Sequence, residues 1–352
     1  MMIKTFRELY RAPHRTDRDG IVWYECLSDM HFASPRVGWA VGSGQILCSG
    51  DGGKTWNNQY TDFMASSFFA PHRVSMPSQN SCWVIDTVGF GQNRCFHTRD
   101  GGRNWEASKF ASAYPKDVFF INSQRGWLIT DDGKMLSGGG SIHATIDGGK
   151  TWKTGRLKIK GRPEVIRFIS SRAGWLVERV ISKDQGRSIG RLHKSKDGGS
   201  TWESVATFDN RILDLAVLDQ ERIFVSGEGG LIAATRDAGQ SWQRLRTKTH
   251  AAINSIAFDG NRTVIAAGDF RTLLISDDGG SSWSRLRTPA EDSNWVRACM
   301  VSSSQAIVAS TTAIYLLNPL SETDLPAEPS FPEKVRRDRT RHATTQRFPG
   351  LQ

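Results

Sequence analysis

SGDGGKTW, residues 49–56, decides the fold because it returns five more times: TRDGGRNW (98–105), TIDGGKTW (145–152), SKDGGSTW (195–202), TRDAGQSW (235–242) and SDDGGSSW (276–283). The closing tryptophans stand 49, 47, 50, 40 and 41 residues apart. A repeat of roughly 40 to 50 residues is the length of one propeller blade of four short strands. Within each copy an Asp (Asp51, Asp100, Asp147, Asp197, Asp237, Asp278) precedes glycine in a turn between β-rich runs. The carboxylate accepts backbone N–H groups and glycine supplies positive φ, so each segment is read as a self-closing hairpin. The Trp (Trp56, Trp105, Trp152, Trp202, Trp242, Trp283) then offers a large apolar face, expected to pack on the next blade.

Around these boxes the chain lays out as seven units. Inner strands are expected at 30–33, 118–121, 166–169, 212–216, 253–258 and 296–301. Second strands are expected to begin at Trp39, Trp83, Trp127, Trp175, Phe224, Val264 and Ala306, with a third strand leading into each box and a fourth beginning at its Trp. The seventh unit, 294–317, has three strands and no box. Its missing outer strand is found at the other end: residues 5–13 (TFRELYRAP) match the register of residues 282–289 (SWSRLRTP), with Phe6 in place of Trp. The expected fold is therefore all-β, a seven-bladed β-propeller over residues 4–318, closed by an N-terminal strand that removes an exposed sheet edge.

The box is the Asp-box (BNR) repeat. The fuller unit, MHFASPRVGWAVGSGQILCSGDGGKTW (30–56), with its echoes VFFINSQRGWLIT (118–130) and IRFISSRAGWLVE (166–178), resembles the propellers of the Ycf48/HCF136 type of photosystem II assembly factor. That resemblance implies a scaffold with a basic patch that helps assemble a membrane protein complex. The same box occurs in sialidases and other propellers, so it fixes the fold more firmly than the function.

Composition fits a β-rich globular chain: 352 residues with 34 Gly, 12 Trp and 17 Phe, and a formal net charge of +10. No run approaches the roughly 18 apolar residues of a membrane span. The first twenty residues hold no apolar signal core, which predicts a cytoplasmic protein. The five cysteines (Cys26, Cys48, Cys82, Cys95, Cys299) have no C-x-x-C spacing and are read as thiols; a Cys82–Cys95 contact within one blade is conceivable. Residues 319–352 are rich in Pro and Arg and are read as a disordered tail. Within it, residues 333–352 hold six Lys/Arg against two acids and so account for +4 of the formal charge.

The boxes join third to fourth strands and share one rim. Loops on the opposite face vary: 61–75, 86–94, 130–141, 153–164, 178–191 and 244–253. Variable loops on a rigid ring are where recognition is expected. They are basic: Arg156, Lys158, Lys160 and Arg162 in one; Arg179, Lys183, Arg187 and Arg191 in its neighbour; Arg244, Arg246, Lys248 and Arg271 further round. This predicts an acidic protein or protein-complex surface as partner of a monomer. Nucleic acid is the other polyanion, but no nucleic-acid motif is present and the aromatics among these loops are few (Phe63, Phe68, Phe69, Phe90, Tyr114).

The enzymatic alternative is a sialidase-like glycoside hydrolase or a carbohydrate-binding propeller. Its candidate carboxylates follow second strands on the open face: Asp86, Glu178, Glu228 and Asp269. Of the tyrosines, Tyr24 and Tyr114 approach that face. His143 and His193 occupy equivalent third-strand positions with no acidic partner at metal-ligand spacing, so no metal and no cofactor is expected.

Overall fold

The computed structural model describes residues 3–16, 22–24, 26–43, 45–60, 71–88, 92–110, 114–133, 138–182, 186–289, 294–302 and 305–319. Seven four-stranded antiparallel sheets form the blades of the ring. Their inner strands are Leu27–Phe32, Pro71–Ser78, Tyr114–Phe120, Arg162–Phe168, Ile212–Val217, Ile253–Phe258 and Trp295–Met300, in blades I to VII. The second strands Gly38–Gly42, Ile223–Gly227 and Ala306–Ser310 are buried along their whole length, each being covered by a blade on either side. An additional short hairpin pairs His14–Thr16 with Val22–Tyr24. The expected tail lies outside the described residues from residue 320 onward.

Each box closes itself by one repeated set of bonds. In the first copy the Ser49 hydroxyl donates to Asp51 Oδ1 and accepts from Gly53 N, while Asp51 accepts from the backbone N–H and hydroxyl of Thr55. Copies two to six repeat it, Asn104 replacing the hydroxyl in the second. The bonds to Asn104 hold the Asp100 carboxyl down to about 2. The residue after each box Asp donates its N–H to a carbonyl of the turn between inner and second strand, for example Gly52 to Arg36 and Gly148 to Gln124. Boxes and inner turns thus share one rim.

The tryptophans pack on the preceding blade, not the next one as the sequence suggested. Trp105 of blade II meets Trp39 of blade I edge-on at 5.4 Å. Trp152 and Trp202 land edge-on upon Phe120 and Phe168 of their own inner strands. Those phenylalanines are stacked at 3.7 and 3.6 Å on Trp83 and Trp127 of the preceding blades. Three aromatics thereby close the junctions of blades II with III and III with IV, and the direction follows from the box turn, which folds its outer strand back across the gap behind it.

The second box glycine is Gly in all six copies whereas the first is Ala238 in the fifth, and in the second box the space at the two positions differs. Both positions have positive φ, yet a Cβ at Gly101 meets nothing nearer than 3.7 Å, while one at Gly102 falls 2.6 Å from the Trp39 ring. Ala238 accepts φ 61 at the open position. Gly101→Ala is therefore expected to cost about 1 kcal/mol, the left-handed penalty alone. Gly102→Ala adds overpacking and should cost about 3 kcal/mol in chemical denaturation; equal losses would contradict the asymmetry.

Ring closure is as the register of Phe6 indicated. The strand Ile3–Arg11 pairs antiparallel with Ala313–Pro319 and completes blade VII. Phe6 lies 5.9 Å from the Trp295 ring and 6.0 Å from Tyr315. Tyr10 donates to Gln45 of blade I, tying the closing strand to the next blade. All five cysteines are free thiols. Cys95 pairs in register with Ile85 and Cys82 with Thr98, which puts the two side chains on opposite faces of their sheet, so the conceivable contact is absent.

Candidate partner-binding face

The loops opposite the boxes meet over blades III and IV. There the segment after the outer strand Lys153–Arg156 runs past Gly139, which donates its N–H to the Gly161 carbonyl at 2.7 Å. Gly161 presses on the Arg179 carbonyl, where a Cβ would fall at 2.1 Å. The loop at 178–191 is largely strand: Gly174–Ile181 and Ser188–Ser195 form a long hairpin that stands above the blade.

Glu178 holds this arrangement together. It is buried inside the second strand; one carboxylate oxygen accepts from the backbone N–H groups of Lys160 and Gly161, the other from His193 Nε2 at 2.7 Å. Burial opposes its charge, but the His193 and Gly161 hydrogen bonds prevail and its pKa lies below the ordinary range. His193 thus has the acidic partner that spacing along the chain did not show. His143, its equivalent one blade earlier, bridges Thr130 and Thr154 instead.

The expected cations divide into paired and unpaired. Arg156 lies 3.3 Å from Asp132, Arg162 3.6 Å from Asp131 and Arg179 3.4 Å from Glu164. Arg191 is half-buried opposite Glu178. Lys158, Lys160, Arg187, Arg246 and Lys248 are exposed and, among the described residues, have no carboxylate within ion-pair distance. Arg271 is exposed at the tip of a blade VI turn, and Arg244 on the outer strand of blade V. Lys183 lies outside the described residues, as do Phe63, Phe68, Phe69 and Phe90; nothing is described of the Tyr24 side chain, and Tyr114 is 47 % exposed.

The candidate catalytic carboxylates do not form a group. They were expected to follow second strands on the open face, but Asp86 and Glu178 are buried within strands. Asp86 pairs with Arg94 at 2.9 Å, Glu228 lies 3.9 Å from Arg211, and Asp269 accepts from Asn254 at 2.7 Å. The four stand on blades II, IV, V and VI, each bound to its own partner.

A charged ring that the sequence reading missed lines the channel instead. In all seven blades the inner-to-second ladder slips by one residue at the same place, a bulge preceding Asp29, Arg73, Asp117, Val165, Asp214, Ser255 and Arg297. Arg297 bonds Asp29 and, at 2.9 Å, Asp214; Arg167 bonds Asp117 and Asp214; Arg73 approaches Asp117 at 3.9 Å. Asp29, Asp117 and Asp214 also accept the backbone N–H of Val74, Ile166 and Ile256 on the following blade. A cavity of 170 Å³ lies against Asp117, Arg167, Asp214 and Arg297. Beside it burial pushes His31 down to about 4. Aligning the seven inner strands on their aliphatic residues (Met30, Val74, Val118, Ile166, Leu215, Ile256, Ala298) would have exposed the ring.

The family profile described as photosynthesis system II assembly factor YCF48 matches residues 21–161 and 195–318. The photosystem II assembly lipoprotein Ycf48 of Synechococcus sp. (strain CC9902) is 22 % identical over 254 residues, 61 % of this chain and 74 % of that protein. The chloroplastic photosystem II stability/assembly factor HCF136 of Arabidopsis thaliana is 23 % identical over 284 residues, 63 % of this chain and 68 % of that protein. Among solved structures, YCF48 bound to D1 peptide superposes with a TM-score of 0.67 at 22 % identity, covering 90 % of this chain and 95 % of that one. The GH74 enzyme of Niastella koreensis superposes equally, TM-score 0.67, at 11 % identity over 89 % of this chain and 53 % of its own. At these identities the superpositions speak for the fold alone.

The relatives overturn one expectation. They are a lipoprotein and a chloroplastic factor, so the cytoplasmic reading does not stand. An export or anchoring segment is a short stretch that a propeller does not need in order to fold, and the first residues therefore carry no weight on location. Among the described residues no helix is long and apolar enough to cross a membrane.

Proposed function

Because the chain belongs to the family of the photosynthesis system II assembly factor YCF48, we propose that it is a non-enzymatic, monomeric scaffold that captures an acidic segment of a partner protein on the face opposite its boxes. The observation that carries this reading is the set of exposed cations, Lys158, Lys160 and Arg187, that have no carboxylate partner among the described residues, beside a loop anchored by buried Glu178. A positive field on a rigid support speeds encounter and selects against basic competitors. That a similar propeller is solved with a D1 peptide supports a peptide as ligand. In this reading Asp86, Glu178, Glu228 and Asp269 are structural, each bound to its own partner as described above.

The test is binding of a labelled D1 peptide to the full chain and to Lys158→Glu/Lys160→Glu/Arg187→Glu. The triple reversal is expected to weaken binding at least tenfold, about 1.4 kcal/mol, with the difference shrinking as salt screens it. Unchanged affinity at low salt would remove the proposed face. Turnover of a fluorogenic glycoside by the wild type, lost in Asp86→Asn, would establish the hydrolase in its place.

A further inference from the structure

Blades V and VI make the same turn between second and third strand with very different residues. After Gly227, blade V turns through Glu228, Gly229 and Gly230, the glycines at φ 64 and 67. After Gly268, blade VI turns through Asp269, Phe270 and Arg271, with φ 52 and 57 at the last two. Such paired left-handed positions are the domain of Asn and Gly, so a Phe–Arg pair here holds backbone strain that glycine one blade away avoids. Nor does packing recover it, since Phe270 is 69 % exposed.

The surroundings enforce the turn. Asp269 N donates to Ala252 O at 2.9 Å and Thr272 N to Asp269 O at 3.0 Å. Asn254 donates to the Asp269 carboxylate, and Arg285 Nη2 to the Phe270 carbonyl at 2.9 Å. Two cations belong to the turn itself: exposed Arg271 follows the ring in sequence, and Arg285, exposed on the outer strand, reaches the carbonyls of Phe270 and Arg271. A rigid, solvent-facing aromatic on a turn that carries positive charge has the chemistry of an interface anchor.

We propose that the Phe270–Arg271 turn is a second contact for the bound segment, taking an apolar side chain that neighbours carboxylates in the partner; this rests on the scaffold reading above. A single aromatic suits a peptide side chain, whereas single-stranded nucleic acid needs successive rings to stack on.

The experiment compares full-length wild type, Phe270→Ala and Phe270→Gly/Arg271→Gly for binding of the labelled D1 peptide and of an oligothymidine, and for melting temperature. Phe270→Ala is expected to weaken peptide binding about tenfold, as loss of an aromatic anchor does. The double glycine variant should bind as weakly yet melt about 3 °C higher, because it relaxes the turn. Stability and affinity moving in opposite directions is the signature of strain kept for binding. Wild-type affinity in both variants, with the triple charge reversal still defective, overturns the anchor and leaves the scaffold standing. A melting temperature that falls on glycine substitution removes the strain, and oligothymidine binding lost in Phe270→Ala reassigns the turn to nucleic acid. Absence of peptide binding by the wild type overturns both readings.

Discussion

Deleting residues 1–12 is expected to lower the melting temperature by about 10 °C or more, or to leave the chain unable to close. The strand Ile3–Arg11 is the outer strand of blade VII, and its partner Ala313–Pro319 would become a bare sheet edge. Phe6, Leu9 and Tyr10 would no longer cover Trp295, Ile307 and Tyr315, which are now buried. At roughly 1 to 2 kcal/mol for each of these half-buried side chains, the apolar loss alone is about 4 kcal/mol before the lost ladder is counted. A domain holds only about 5 to 15 kcal/mol in all. Calorimetry of the truncated protein measures the loss, and a peptide of residues 1–13 added in trans should restore part of it by strand addition. An unchanged melting temperature would show that the ring closes without this strand.

How much of this was legible in the sequence follows from how local each feature is. The boxes were readable because Ser49, Asp51, Gly53 and Thr55 bond among themselves, so the turn is written in eight consecutive residues. Closure was readable because Phe6 occupies the register of a box Trp at the one blade lacking a box. The direction of Trp packing was not, since a Trp fits the gap on either side and only the fold of the outer strand chooses. Glu178 looked like a loop acid because its partners, Lys160, Gly161 and His193, lie 15 to 18 residues away. The channel ring was hidden for a similar reason: Asp29 and Arg297 are 268 residues apart and become neighbours only when the toroid shuts.

That ring yields the other large effect: Arg297→Met is expected to destabilise the propeller by about 3 to 5 kcal/mol at neutral pH. The guanidinium of blade VII bonds Asp29 of blade I and Asp214 of blade V, both buried. Burial favours the neutral acids, but the charge of Arg297, with Arg73 near Asp29 and Arg167 near Asp214, outweighs it and holds both carboxyls below their ordinary value. A carboxyl lowered on folding contributes stability that is complete above its unfolded pKa and is lost as pH falls through the folded one. The wild type should therefore weaken only below about pH 4 on this account. In Arg297→Met burial loses its principal opponent, and the carboxyls rise above their unfolded value. Stability then falls as pH rises through that range, so the deficit should be largest at pH 7 and smaller at pH 5. Replacing all three groups together, Asp29→Asn/Asp214→Asn/Arg297→Met, should recover part of the loss, because no buried charge is stranded. Urea denaturation at the two pH values separates this from simple loss of packing, which would give the same deficit at both and would show that the ring's charges are not what joins blades I, V and VII.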